Sequence, residues 1–122
     1  MISRNEMAAS LYKRRQMAVR IRRACVRSGD WQPEPKKCHR NVEVWCSRHP
    51  NYMAVQGWLV ADYEELGIYQ FFAHSVVEDE TGNLIDITPN PMPYSYPFLR
   101  HDEADGRFIE FEDITSVIYR MR

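Results

Sequence analysis

Cysteine is scarce in this chain, with Cys25, Cys38 and Cys46 the only three in 122 residues. An odd number without a secretion signal argues against a disulfide framework and for free thiols. If Cys38 and Cys46 share a helix they lie two turns apart, about 12 Å at 1.5 Å per residue, too far to bridge. Long apolar runs are missing as well. No stretch approaches the roughly 18–20 residues that would span a bilayer, so no membrane association is expected. After Met1 the chain carries Arg4 and then polar and charged residues, without the apolar segment of a signal peptide. A soluble cytoplasmic protein is the expectation. Repeats and low-complexity tracts are also lacking. The length allows one domain, 1–122, with no room for a second core. A hydrophobic fraction of 44% is too high for disorder.

Net charge is only −1, but it hides an asymmetry. Residues 1–40 hold 11 Lys/Arg against 3 Asp/Glu, and residues 41–122 hold 5 against 14. A basic start facing an acidic body, or an acidic partner, follows from that split. A solvated helix face with intramolecular attraction is the plainer explanation.

Residues 4–27 contain no Gly or Pro, and Met7, Ala8, Leu11, Met17, Ala18, Ile21 and Cys25 recur at helical spacing. Ser3 as N-cap with Glu6 three residues on has capping-box spacing. A basic N-terminal helix within 1–30 is therefore expected, ended by Ser28-Gly29-Asp30. Pro33 and Pro35 make the next segment extended. A second helix should run from near Cys38 to about Arg48, stopped by Pro50. The period then changes to that of strands. Residues 53–63 and 68–79 read as strands, joined by a turn at 64–67. Residues 80–83 read as a hairpin turn, and 84–88 as the returning strand. Residues 89–97 form a proline-rich loop, 101–107 a polar turn, and 107–113 and 115–122 each read as a strand or strand-like tail. Helices first and a sheet after give an α+β domain, with the N-terminal helices packed on an antiparallel sheet in residues 31–122.

The hairpin carries the first chemical signal. His74 lies on one strand and Asp86 on the returning one, and a neutral histidine needs an acceptor on one ring nitrogen before the other can act as a base. A turn centred on Gly82-Asn83 sets Asp79 opposite Asp86, so contact with His74 needs a shifted, bulged or twisted return strand. Positions 74, 76 and 78 share one face, and 84, 86 and 88 share one face of the partner strand. Cys38 supplies the nucleophile. At a helix start, beside Lys36 and Lys37 and an imidazolium, its thiol pKa is lowered. A thiolate–imidazolium pair is the activated group of cysteine hydrolases and acyltransferases. The Cys38 backbone N–H and the Gln32 side chain are candidate oxyanion donors. Cys38, His39, Cys46 and His49 match no usual zinc spacing, so no metal is expected. Trp45 and Trp58 read as core, with Trp58 also the candidate substrate-contact residue, and His101 reads as an exposed loop residue.

The string "AHSVVEDETGNLIDITP" resembles the core of the papain-like and transglutaminase-like superfamily. There a His strand, a turn and an Asp strand follow a Cys at a helix start and a "GW" strand. "CHRNV", "VQGWLV" and "LIDITP" are further similar to small uncharacterised bacterial and phage proteins. The resemblance covers residues 32–89, about half the chain. It implies Cys38 as nucleophile, His74 as base, Asp86 as orienting residue and Gln32 as oxyanion glutamine, six residues before the cysteine. No cofactor is implied. The expected function is a thiol hydrolase or acyltransferase acting on an amide or thioester bond of a protein or peptide. The rival is a non-catalytic binding module that meets nucleic acid or an acidic protein through Lys13, Arg14, Arg15, Arg22, Arg23 and Arg27.

Overall fold

The computed structural model describes residues 2–91, 95–108 and 116–121. Their order is α1 (Arg4–Lys13), a 3₁₀ turn (Arg15–Met17), β1 (Arg22–Arg23), α2 (Cys38–Arg48), β2 (Met53–Tyr63), β3 (Ile68–Glu78), β4 (Leu84–Asp86), β5 (Phe98–Arg100) and β6 (Ser116–Arg120). This is an α+β fold. The sheet order is β1-β4-β3-β2-β5, with β6 also on β3. The expected sheet was wholly antiparallel, but β1 runs parallel to β4, with Arg22 opposite Ile85 and Arg23 opposite Asp86. The strand expected over 107–113 falls largely outside the described residues.

Two compact units make up the chain, and neither is continuous in sequence. Residues 1–20, 56–73 and 96–122 form the first, and residues 21–55 and 74–95 the second. The chain therefore passes between them at 20/21, 55/56, 73/74 and 95/96.

In the first unit α1 begins as its sequence dictates. Ser3 Oγ accepts from the Glu6 N–H, and Glu6 Oε1 accepts from the Ser3 N–H, both at 3.1 Å. Met7, Ala8 and Leu11 are buried against Trp58, Val60, Tyr69, Phe71, Leu99, Phe108 and Val117. The helix then stops, fourteen residues short of the expected Arg27. Tertiary pairing overrides helical propensity here. Arg14 leaves the helix with its guanidinium on Asp105, at 3.4 Å, and on the Arg100 carbonyl. Val19 exchanges both backbone hydrogen bonds with Phe98, at 2.9 and 2.8 Å. Met17, placed on the apolar face by its spacing, is 68% exposed. The six basic residues expected on one helix accordingly lie on the last helical residue, a turn, a strand and an irregular segment. Gly57 sits opposite Arg100 in the β2–β5 pair. A Cβ there would stand 2.3 Å from the Leu99 carbonyl oxygen and 2.6 Å from Phe98 Cζ, so only glycine admits this approach.

The second unit has its own core of Val42, Trp45, Val77, Ile85 and Ile87. α2 runs from Cys38 to Arg48, as the proline boundaries predict, and turns Val42 and Trp45 inward. The β3–β4 hairpin pairs Val77 with Ile85 and Glu78 with Leu84. Asp79 builds the connection. Its Oδ1 accepts from the Thr81 N–H, the Thr81 hydroxyl and the Asn83 N–H, and these bonds hold its carboxyl below the usual range. Gly82 takes a left-handed φ of 87°, as the turn requires.

Candidate active site

The hairpin register decides where Asp86 points. The expected pairing of Asp79 with Asp86 would put Asp86 and His74 on opposite faces. The Asp79-centred turn instead pairs Asp79 with Asn83. Continuing the observed register by one step sets Asp86 opposite Val76. His74 is then its diagonal neighbour on the same face, within reach of long side chains. His74 Nε2 lies 2.8 Å from Asp86 Oδ2, and each side chain is 12% exposed. The other carboxylate oxygen, Oδ1, accepts from the Thr88 N–H at 3.1 Å. Asp86 is thus committed at both oxygens, one fixing its own strand end and one fixing the imidazole.

With Nε2 on Asp86, Nδ1 is the ring nitrogen left for Cys38. The thiol opens α2 at the first helical position, where the backbone N–H groups have no intrahelical acceptor. Burial by itself pushes the Cys38 thiol up. Hydrogen bonds from His39 and His74, and their charges, outweigh burial and bring it from 9.0 down to about 6. Burial likewise pushes the His74 imidazole down, but hydrogen bonds to Asp86 and Cys38, with their charges, raise it to about 9. Between those two values the proton belongs on the imidazole and not on the sulfur. The flanking lysines were expected to activate the thiol. Both are exposed, Lys37 turns to Glu34 at 3.3 Å, and two imidazoles do the work instead.

Two polar residues of the site carried no clear signal in sequence. His39 follows Cys38 on α2, with its Nδ1 2.5 Å from the Ser75 hydroxyl oxygen. Asn41, 1% exposed, accepts from the Glu34 N–H and donates to the Glu34 carbonyl and to Thr88 Oγ1 at 3.0, 2.8 and 3.0 Å. It therefore ties the segment entering α2 to the strand end that holds Asp86. Three-residue spacing from Cys38 on a helix face was the only hint of Asn41, and His39 had none beyond being the next residue. Lys36, two residues before the cysteine, has a φ of 65°, an uncommon conformation for a non-glycine residue. The Asn41 bonds lie on both sides of it.

The remaining expected site residues make other contacts. Gln32 is exposed and accepts at Oε1 from Arg27 Nη2 at 3.2 Å, and it is not among the groups that shift Cys38. Trp58 as a substrate contact is corrected. It is 0% exposed, packs edge-on against Phe108, and donates from Nε1 to His101 Nδ1 at 3.2 Å. Such a residue has no surface to offer a substrate. His101 is corrected too, being half-buried with its Nε2 2.7 Å from the Gly106 carbonyl oxygen. Cys25, Cys38 and Cys46 are all free thiols, with Cys25 exposed. Among the described residues, no group of three His, Cys, Asp or Glu side chains is arranged to hold a metal ion. No helix among them is long and apolar enough to cross a membrane.

The chain matches no protein-family model, no curated protein and no solved structure.

Proposed function

We propose that the protein is a thiol hydrolase or acyltransferase acting on an amide or thioester bond, built on a papain- or transglutaminase-like core. What supports this reading above all is the hydrogen-bonded line Cys38–His74–Asp86. Its thiol is depressed to about 6 and its imidazole raised to about 9, so that a thiolate and an imidazolium coexist at neutral pH. The pair costs the fold no pH sensitivity in that window. His74, raised above its ordinary value of 6.5, contributes stability that fades as pH rises from there through about 9. Cys38, depressed below 9.0, contributes stability that fades as pH falls from there through about 6. The two trends oppose each other, because folding moves one proton from sulfur to imidazole.

In the reaction Cys38 Sγ attacks the carbonyl carbon, and the carbonyl electron pair moves onto oxygen. The Cys38 backbone N–H at the helix start is the proposed first donor for that oxyanion. Gln32 is the proposed second donor. Its oxygen is engaged by Arg27, which leaves the amide NH2 as its donor end. The imidazolium of His74 protonates the leaving group as the carbonyl bond to it breaks, giving a thioester on Cys38. Water or an amine then attacks, returns a proton to His74, and releases the thiolate. Asp86 keeps the ring oriented throughout.

Activated acyl esters test this reading. Incubation at neutral pH is expected to load an acyl group on Cys38, seen as a mass shift on the peptide containing it. Exposed Cys25 of the same chain is the internal reference. At pH 6 a thiol with its pKa at about 6 is half ionised, whereas an ordinary thiol is ionised to about a few thousandths. The lower intrinsic nucleophilicity of a weakly basic thiolate offsets part of that gain, leaving an advantage of about 10- to 100-fold. Acylation of Cys38 no faster than that of Cys25 at pH 6 would overturn the proposal.

A further inference from the structure

One imidazole beyond the Cys38–His74–Asp86 line also reaches the thiol. His39 is hydrogen-bonded to Cys38. Its own ring is anchored by Ser75, which is 2% exposed and follows His74 directly on β3. Two adjacent strand residues thus serve the same sulfur: His74 through its own effect on the thiol, and Ser75 through the residue that follows the cysteine on its helix. We propose that Cys38 works between two imidazoles, with His39 a positioning residue that holds the thiolate while His74 moves the proton.

The hydrogen-bond chemistry makes this division of labour. His74 is held by a carboxylate, which favours the charged ring. His39 is held by a hydroxyl, which carries no charge and can donate its O–H to Nδ1. With Nδ1 on the Ser75 hydroxyl, Nε2 is the His39 ring nitrogen left to donate its N–H to Sγ. The thiolate then receives two N–H donors, one from each ring. In the first half-reaction the Sγ–C bond forms and the His74 proton leaves with the departing group, while His39 keeps its own proton. In the second half the Sγ–C bond breaks, the electron pair returns to sulfur, and the His39 N–H is already in place to receive it. His39 therefore assists both the resting thiolate and its departure from the thioester, with no net proton transferred through it. The titratable groups acting on Cys38 are His39 from its own helix and His74 from β3, and Asp86 on β4 acts through His74.

This inference rests on the thiol-enzyme reading, and the experiment separates the two. The rate of iodoacetamide alkylation at Cys38 is followed across pH by peptide mass mapping, so that Cys25 and Cys46 do not interfere. The native protein is expected to reach half its maximal rate at about pH 6. His39→Ala moves that midpoint up by roughly one to two pH units. His39→Gln, whose amide can still donate, recovers part of the shift. Ser75→Ala moves the midpoint in the same direction by less, since the ring keeps its place on the helix but loses its anchor. A merely structural role would change the melting temperature of these variants without moving the midpoint. A folded His39→Ala protein with the native midpoint, or, should that variant not fold, a Ser75→Ala protein with the native midpoint, overturns the role of His39 and leaves the thiol-enzyme reading standing. A native midpoint near 9.0, the ordinary thiol value, overturns the thiol-enzyme reading and this inference with it.

Discussion

Asp86→Asn is expected to cost about 3–5 kcal/mol of stability at neutral pH, the usual penalty for removing one partner of a buried charge pair. The substitution preserves shape, and an amide oxygen can still accept from the Thr88 N–H. What it removes is the negative charge 2.8 Å from a ring that is 12% exposed. Without that charge, burial dominates the His74 imidazole and pushes it down from about 9. The alkaline limit of any reaction that needs the imidazolium falls with it, by roughly two pH units. The sign of the pH dependence follows from the raised imidazole. The native pair contributes most below 6.5 and loses its contribution as pH passes about 9. Denaturant melts of native and Asp86→Asn protein should therefore differ most at or just below pH 6.5 and converge in alkali. Equal stability at neutral pH would show that the carboxylate does not hold a charged ring.

Asn41→Leu is the second large effect, about 2–4 kcal/mol, and it tests the scaffold rather than the chemistry. Leucine keeps the branching at Cγ but strands a backbone N–H, a backbone carbonyl and a threonine hydroxyl that Asn41 satisfies. Each buried group left unpaired costs roughly 1–3 kcal/mol, with the lower end fitting Glu34 because that residue is exposed. Loss of reactivity should accompany loss of stability. Glu34 lies in the segment that delivers Cys38 to the start of α2, and Thr88 lies two residues after Asp86. Both the nucleophile and the orienting carboxylate are thereby loosened. Urea melts and Cys38 alkylation rates on the same protein check both halves. A variant as stable as the native protein would leave Asn41 without its bridging role.

How much of this was legible in the sequence varied with the range of the interaction concerned. α2 and β2 were readable because their limits are local: prolines flank the helix, and the apolar spacing changes after Asn51. The capping box at Ser3 and Glu6 was readable for the same reason. α1 was overextended because helical spacing at Met17, Ala18 and Ile21 says nothing of the partner strands that claim residues 19 and 22–23. The short β5 was missed, since its formation depends on β2 and on the space that Gly57 leaves. Register was the costliest gap. Gly82-Asn83 has the composition of a two-residue turn, but Asp79 captures Thr81 and Asn83 and lengthens the loop, which brings Asp86 round to His74. His39 and Asn41 were hidden for a related reason. Their partners, Ser75 and Thr88, lie 36 and 47 residues away, and nothing in their own neighbourhood announces the pairing.

The central claim is that Cys38 rests as a thiolate beside a protonated His74. Ultraviolet thiolate absorbance, taken as the difference between native protein and Cys38→Ser through a pH titration, measures it most directly. A single thiolate should appear with its midpoint at about 6 and persist into alkali. A difference signal that stays at zero until the pH approaches 9.0 would mean that the sulfur keeps its proton, and that the three residues are neighbours without being an activated site.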